Sequence, residues 1–252
     1  MIATIIAKET KLFFRSPMAY FIAGLFSLIV GWLFYNQLAY FAENVQKIPV
    51  SMRNHYDFAN EVVLKLYGNV NFLLLFIAPI ISMRSFSEEY KTGTIQLLIF
   101  SHCSQLELVI GKYISLFIQG TFLLGTTLIY PFCLGNLDLV DNTFILTGYL
   151  GLLLNLAAFL VLGAFASSLS KNVIVSSLLG FVFVFISWMM AMFSQMSSNY
   201  IYSEFFNFIS VNHHFENFVK ANISIADFVF YMSFISFFII LIKKRIALRS
   251  WQ

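Results

Sequence analysis

Histidine and carboxylate side chains that could bind a metal ion lie close together late in the chain. His213, His214 and Glu216 fall within four positions, and His213 and Glu216 are three apart, the spacing of one helical face. A zinc site takes three or four such ligands, and the neighbouring sequence supplies no further run of them. We therefore predict no metal site here, and a structural or interfacial role for this segment.

The rest of the sequence contains no pattern that indicates a catalytic site. The sequence has no Gly-x-x-x-x-Gly-Lys-Ser/Thr phosphate loop, no serine nucleophile elbow and no Cys/His arrangement. Gln119 and Asn155 stand inside long apolar runs, where amides usually hydrogen-bond between helices; a polar spot on a substrate path is the alternative. We predict that the chain is not an enzyme by itself and binds no cofactor. A membrane-embedded enzyme would require clustered ionisable residues, and the lack of such a cluster in the sequence argues against that class.

The composition defines the class of protein. Of the 252 residues, 60% are hydrophobic and only 11% are charged, whereas soluble domains are roughly half apolar and about a quarter charged. So little polar surface predicts an integral membrane protein. The net charge is +3 and the basic residues are dispersed, which argues against a nucleic-acid partner.

Long apolar runs predict an all-α, polytopic fold, with the whole chain, 1–252, forming one transmembrane domain. By the rule that about 20 residues cross the hydrocarbon, we place six spans at 18–40, 66–83, 113–134, 144–169, 173–193 and 228–242. The last is short, and must borrow residues 225–227 or let Lys243 and Lys244 reach the interface. Residues 1–17 form an amphipathic pattern that predicts an interfacial helix; a plain cytoplasmic extension is the alternative.

The distribution of Lys and Arg sets the orientation. Eleven of the 15 fall on one side of the predicted membrane if the N-terminus is inside, as the positive-inside rule requires. Both termini and the segment 84–107 are therefore predicted to be cytoplasmic.

The segment 84–107 has readable local signals. Gly93 should end the helix that continues from the second span, and Thr94 should cap a new turn with Ile95, Leu98 and Ile99 on its apolar face. Ser104 and Glu107 match a capping box that starts the third span. The side chains that we expect to be available to water are Glu88, Glu89, Lys91 and Gln96. These signals predict a short interfacial helix between two spans; an ordinary charged connector is the alternative.

Two further patterns concern packing. Residues 194–227 carry apolar residues at helical spacing, which predicts two short amphipathic helices dipping into the outer leaflet; a loosely ordered loop is the alternative. Gly163 and Ser167, like Ser176 and Gly180, lie four apart. Such spacing lets helix backbones approach closely, although it also occurs in ordinary membrane helices.

Three separated stretches carry a family resemblance. They are Phe86-Ser-Glu-Glu-Tyr-Lys-Thr-Gly-Thr-Ile-Gln-Leu-Leu98 with Leu108-Val-Ile-Gly-Lys112; Lys8-Glu9 with Phe13-Phe-Arg-Ser-Pro-Met-Ala-Tyr20; and His214-Phe-Glu-Asn-Phe218 with Asp227. Together they resemble type-2 ABC exporter permeases, most closely the gliding-motility and copper-maturation group. Two positions depart from that pattern: Gln96 stands where Glu is usual, and Ser101-His102 where Ser-Pro is usual.

The resemblance implies a fold and partners. It implies six transmembrane helices, with an N-terminal interfacial helix and a coupling helix after the second span. It also implies re-entrant helices before the sixth span, and these re-entrant helices include His214, Phe215, Glu216 and Phe218. It implies a second permease chain, identical or related, and a separate cytoplasmic ATPase that holds ATP and Mg²⁺, in the bacterial inner membrane. Contact with that ATPase would fall on Glu88, Glu89, Lys91, Gly93, Thr94 and Gln96. An ATPase-independent pore or assembly scaffold in contact with membrane lipid is the rival hypothesis.

Overall fold

The computed structural model describes residues 1–47, 62–94, 104–135, 141–196 and 200–249, which form eleven helices and no strand. The helices are α1 Ile2–Arg15, α2 Pro17–Lys47, α3 Leu64–Ser82, α4 Arg84–Thr92, α5 Gln105–Thr127, α6 Ile129–Gly135, α7 Asn142–Leu169, α8 Val173–Met196, α9 Tyr200–Ile209, α10 Val211–Val219 and α11 Ile225–Arg249. The predicted all-α class is confirmed.

Within the described ranges, six stretches are long and apolar enough to cross a membrane, as the sequence predicts. Their limits are Pro17–Val45, Leu64–Thr92, Gln105–Leu134, Asn142–Leu169, Val173–Ser194 and Ile225–Leu248. The sixth is longer than the apolar run: α11 begins at Ile225 and continues past Lys243 and Lys244 to Arg249. Lys, Arg, Ala and Leu all favour helix, so the helix outlasts the hydrophobic pattern used to predict it.

Helix α7 lies at the centre of the bundle. In its most apolar window 78% of the residues are buried, against 22% in α2 and in α11 and 17% in α8. Its neighbours include α3, α8, α10 and α11. The peripheral helices therefore keep wide apolar faces outward, as expected where the surrounding solvent is hydrocarbon.

Small residues allow the close packing around α7. A Cβ on Gly163 would collide with the Oγ of Ser82 in α3, and a Cβ on Gly180 would lie 3.3 Å from Pro79 and 3.6 Å from the Cα of Gly163. The prediction that small residues bring the backbones of α7 and α8 close together is confirmed. Helix α3 packs against both of them at the same point.

Local signals explain where several helices begin and end. Ser104 accepts a hydrogen bond from the Glu107 amide at 3.2 Å, and Glu107 Oε2 accepts one from the Ser104 amide at 2.9 Å, which confirms the capping box. Gly93 ends α4 with φ +73°, a left-handed conformation that glycine adopts at little cost, so the predicted break there is also confirmed. The predicted turn with Ile95, Gln96, Leu98 and Ile99 lies outside the described residues, as do Ser101 and His102.

Helix α1 lies against the third span. Phe14 meets Phe122 of α5 with ring centroids 4.9 Å apart, and Ile5 lies where a side chain on Gly111 would extend. On its other face Lys8 is exposed. The helix predicted for residues 1–17 is confirmed, and it is held by the bundle rather than extending from it.

Gly163→Ala tests the close contact between α7 and α3. The added methyl would meet Ser82, whose hydroxyl is fixed by a 2.7 Å hydrogen bond to the Ala78 carbonyl. We expect a loss of about 1–3 kcal/mol, measured as a lower unfolding midpoint in detergent. Gly24→Ala is the matched control, because no atom lies within 4 Å of its added Cβ. Equal midpoints for the two variants would contradict the close contact.

Candidate functional site

The charged residues between the second and third spans meet α1 in one cluster, which we call the charged junction. It consists of Glu9 on α1, Arg84, Glu88 and Glu89 on α4, and Lys112 on α5. Helix α4 brings three of them together because it continues beyond the apolar end of α3 after a single residue, Met83.

Lys112 is the centre of the charged junction. Its side chain is only 3% exposed, and its Nζ lies 2.7 Å from Glu89 Oε1 and 3.3 Å from Glu9 Oε1. The same ammonium donates a 2.7 Å hydrogen bond to the Ser85 carbonyl and lies 5.4 Å from the centre of the Phe86 ring. One buried cation thus joins α1, α4 and α5 through all three of its N–H donors.

The exposure predicted for α4 is confirmed for two residues and wrong for one. Glu88 and Lys91 are exposed. Glu89 is not available to water: its side chain is 13% exposed and is paired with Lys112. The reason is helical geometry, because Glu89 follows the buried Phe86 by three residues and so shares its inward face.

Ser167 attaches the start of α4 to the central helix. Its Oγ accepts hydrogen bonds from the amides of Phe86 at 3.0 Å and Ser87 at 3.1 Å, and donates one to the Met83 carbonyl at 2.9 Å. The first amides of a helix lack partners within it, and Met83 at the N-cap of α4 supplies no side-chain acceptor, so Ser167 takes the place of that cap. From the sequence, Ser167 was predicted only as a small residue at a helix contact. No local sequence pattern indicates that it caps α4.

Gly93 and Thr94 lie at the far end of α4. Thr94 is exposed, and its hydroxyl is 2.9 Å from that of Thr92. The left-handed Gly93 turns the chain away from the axis of α4. The predicted contact residues Glu88, Lys91, Gly93 and Thr94 are therefore all exposed, from the middle of α4 to just past its C-terminal end. Gln96 lies outside the described residues.

The two amides predicted in the spans have different surroundings. Asn155 is fully buried and donates to Asn71, which in turn donates to Asn212 at 2.8 Å. The interhelical hydrogen bonding predicted for Asn155 is confirmed, although Asn71 and Asn212 were not singled out. Gln119 is 6% exposed and lines a cavity beside the charged junction. The structure therefore does not place these two residues on one shared path.

The segment before the sixth span forms two helices, α9 and α10. Its prediction as helical is confirmed and the loop alternative is wrong. Phe215 and Phe218 are buried against Gly151 of α7. Glu216 instead faces outward and pairs with Lys220 at 3.3 Å.

His214 and Asp227 form the polar core of this segment. His214 Nδ1 lies 2.6 Å from Asp227 Oδ1, and its Nε2 lies 3.1 Å from the Phe208 carbonyl. Asp227 also accepts from Asn217 and from the Ser224 amide, each at 3.1 Å. Both nitrogens of His214 are thus engaged within the chain. In the described ranges no three His, Cys, Asp or Glu side chains are grouped as a metal site.

Six apolar stretches in the described part of the chain, with α7 buried at their centre and a charged junction at one end, define a multi-pass membrane protein. The sequence profile described as ABC-2 family transporter protein matches residues 3–248. The chain belongs to the ABC-2 transporter family, and it is an ABC-type permease. None of the curated proteins matches it. Membership implies partnership with an ABC ATPase, and in this family the membrane component is generally non-enzymatic with the ATPase on a separate chain.

Replacing Lys112 tests the charged junction. Lys112→Met leaves the carboxylates of Glu89 and Glu9 without their shared cation, and we expect a loss of about 3–5 kcal/mol in unfolding measured in detergent. Glu89→Gln should cost less, because Lys112 keeps Glu9 and the Ser85 carbonyl. The control is Lys171→Met, at an exposed lysine. If Lys112→Met unfolds like this control, the junction contributes no stability.

Removing the Asp227 carboxylate tests the segment before the sixth span. Asp227→Ala leaves His214, Asn217 and the Ser224 amide without their acceptor, at about 1–3 kcal/mol for each group left buried and unpaired. Amide hydrogen exchange in Val211–Val219 should accelerate. Glu204→Ala, at an exposed glutamate on α9, should leave the exchange unchanged. Slow exchange in both variants would show that packing alone orders α10.

Proposed function

We propose that this chain is the permease subunit of an exporter, in which a separate cytoplasmic ATPase moves the segment 84–107 and so opens an outward path for substrate. The ATPase would hold ATP and Mg²⁺, and the chain would bind neither. Both termini would face the cytoplasm of a bacterial cell, with the spans in its inner membrane, as the distribution of Lys and Arg favours.

The observation that carries this proposal is the attachment of α4 on three sides. The helix follows the second span directly, is paired with the third span through Glu89 and Lys112, and is capped by Ser167 of the fourth. A force applied to α4 would therefore reach three spans at once. An ordinary charged connector would not need such attachments.

The same contacts divide the predicted contact residues into two groups. The ATPase would meet the exposed residues in and just after the second half of α4, which are Glu88, Lys91, Gly93 and Thr94, together with Gln96. Glu89 would transmit the movement, because it is buried and paired with Lys112. A third element, α1, would follow through Glu9.

We also propose a second permease chain, in a homodimer or a heterodimer. The apolar faces of α2 and α8 support this, since most of their residues lie outside the core of the single chain. The gliding-motility and copper-maturation group is the proposed subgroup. Contacts within its motifs support it: Glu9 of the first stretch meets Lys112 of the loop motif, and His214 meets Asp227.

Charge reversal at the exposed end of α4 tests the coupling. In source cells that express the tagged chain, an ATP-binding-cassette subunit should be retained on purification, and Glu88→Lys should reduce its amount roughly tenfold because a contact charge is reversed. Glu204→Lys is the matched control, at an exposed glutamate on α9, and should retain the subunit. The amount is measured by quantitative mass spectrometry.

Glu89→Gln separates transmission from contact. It should retain the ATPase subunit while weakening the stimulation of ATP hydrolysis by transport substrate. If the unmodified chain never retains such a subunit, the rival hypothesis of an ATPase-independent pore or scaffold is favoured. If it does and Glu88→Lys changes nothing, the ATPase contacts another surface.

A further inference from the structure

A cavity of about 220 Å³ lies beside the charged junction, between the α1–α2 turn, the α3–α4 junction and α5. Pockets for drug-sized ligands hold roughly 300–1,000 Å³. This one therefore suits the polar end of a larger molecule rather than a whole one.

The wall contributed by α5 is a polar stripe. Lys112, Ser115, Leu116 and Gln119 all line the cavity, at the spacing of a single helical face. Seven residues of helix separate Lys112 from Gln119, a rise of about 10 Å. The cavity thus extends from the charged junction towards the apolar interior of the bundle.

One polar side chain in this wall has no hydrogen-bond partner within the described part of the chain. Gln119 is only 6% exposed, lines the cavity and makes no hydrogen bond there. Buried polar groups are almost always hydrogen-bonded, so Gln119 indicates an occupant with hydrogen-bonding oxygens.

The mouth of the cavity carries both signs of charge. Arg84 and Glu88 are exposed, line the cavity and stand one helical turn apart on α4. Neither side chain has an ion-pair partner among the described residues. A guanidinium matches a phosphate through paired N–H donors, and a carboxylate accepts hydrogen bonds from a primary ammonium.

The third side is apolar and open. Leu12, Met18 and Ile80 line the cavity and yet are 57%, 51% and 40% exposed. The cavity therefore opens sideways between α1 and α3, where hydrocarbon chains would lie in a membrane.

The cavity has a charged mouth, a polar wall and an apolar open side. From this arrangement we infer that it binds a zwitterionic phospholipid with a primary ammonium, a phosphatidylethanolamine. Arg84 holds the phosphate and Glu88 the ammonium. Gln119 donates to an ester oxygen below the headgroup, and the acyl chains leave past Leu12, Met18 and Ile80. Lys112 takes no part, because Glu9, Glu89 and the Ser85 carbonyl already occupy its donors.

Glu88 is also a proposed ATPase contact, so the lipid site is tested in the absence of that subunit. Lipid binding to the purified, delipidated full chain can then succeed or fail whether or not the proposed coupling holds. The probes are dioleoyl phosphatidylethanolamine, phosphatidylcholine and phosphatidylglycerol, compared by native mass spectrometry. Phosphatidylethanolamine should bind about tenfold tighter than phosphatidylcholine, whose quaternary ammonium has no N–H for Glu88.

Three variants should give three different patterns. Glu88→Leu should remove the preference for ethanolamine over choline, because no acceptor for the ammonium N–H remains at that position. Arg84→Gln should weaken both lipids about tenfold, and Gln119→Leu should weaken all three probes. The controls Lys171→Gln and Asn36→Leu, at exposed positions away from the cavity, should bind like the unmodified chain.

Other outcomes overturn the assignment. Equal binding of the three lipids, or tightest binding of phosphatidylglycerol, contradicts a zwitterion site. Equal affinity for soluble glycerophosphoethanolamine assigns the cavity to a soluble ligand instead of a lipid.

A second measurement needs no substitution and so does not depend on variant folding. Phosphatidylethanolamine with a photoactivatable group in its acyl chain should cross-link the unmodified chain at Leu12, Met18 or Ile80, more than the choline analogue does. Cross-links confined to exposed residues elsewhere, such as Ile174 or Ile225, would overturn the proposal.

Discussion

A single buried ammonium determines how one end of this bundle is assembled. Lys112 has left water almost completely, and the cost of removing a charge from water is offset only when its partners are close and its hydrogen bonds are complete. Glu89 and Glu9 supply the charge, and the Ser85 carbonyl completes the hydrogen bonds. Because Lys112 is on α5 and its partners come from α1 and α4, none of these three helices can shift alone without leaving a charge unpaired.

The fold was predictable where a structural feature is determined by residues adjacent in the sequence. Six apolar runs, the capping box at Ser104 and the break at Gly93 each depend on neighbouring residues, and each appears in the structure. The length of α11 was underestimated because a hydropathy pattern ends at Lys243 although helix propensity does not. Hydropathy locates the part of a helix in hydrocarbon, not the whole helix.

The candidate site was predictable in place but not in detail. The segment around α4 stood out by its charge, yet which carboxylate faces water depended on where Phe86 is buried. Ser167, Asn71 and Asn212 have roles set by partners more than 80 residues away in sequence. Such roles arise from tertiary contacts, for which one sequence without homologues offers no local signal.

The Ser167 hydroxyl has a consequence for how this protein could move. A hydroxyl has one proton to donate and two lone pairs, and here Met83 takes the proton while two amides of α4 take the lone pairs. The group is saturated, so a water molecule reaching it would have to displace a bond rather than add one. The short link between α3 and α4 is therefore fixed against α7, so that a movement of α4 would carry the end of α3 and the fourth span with it.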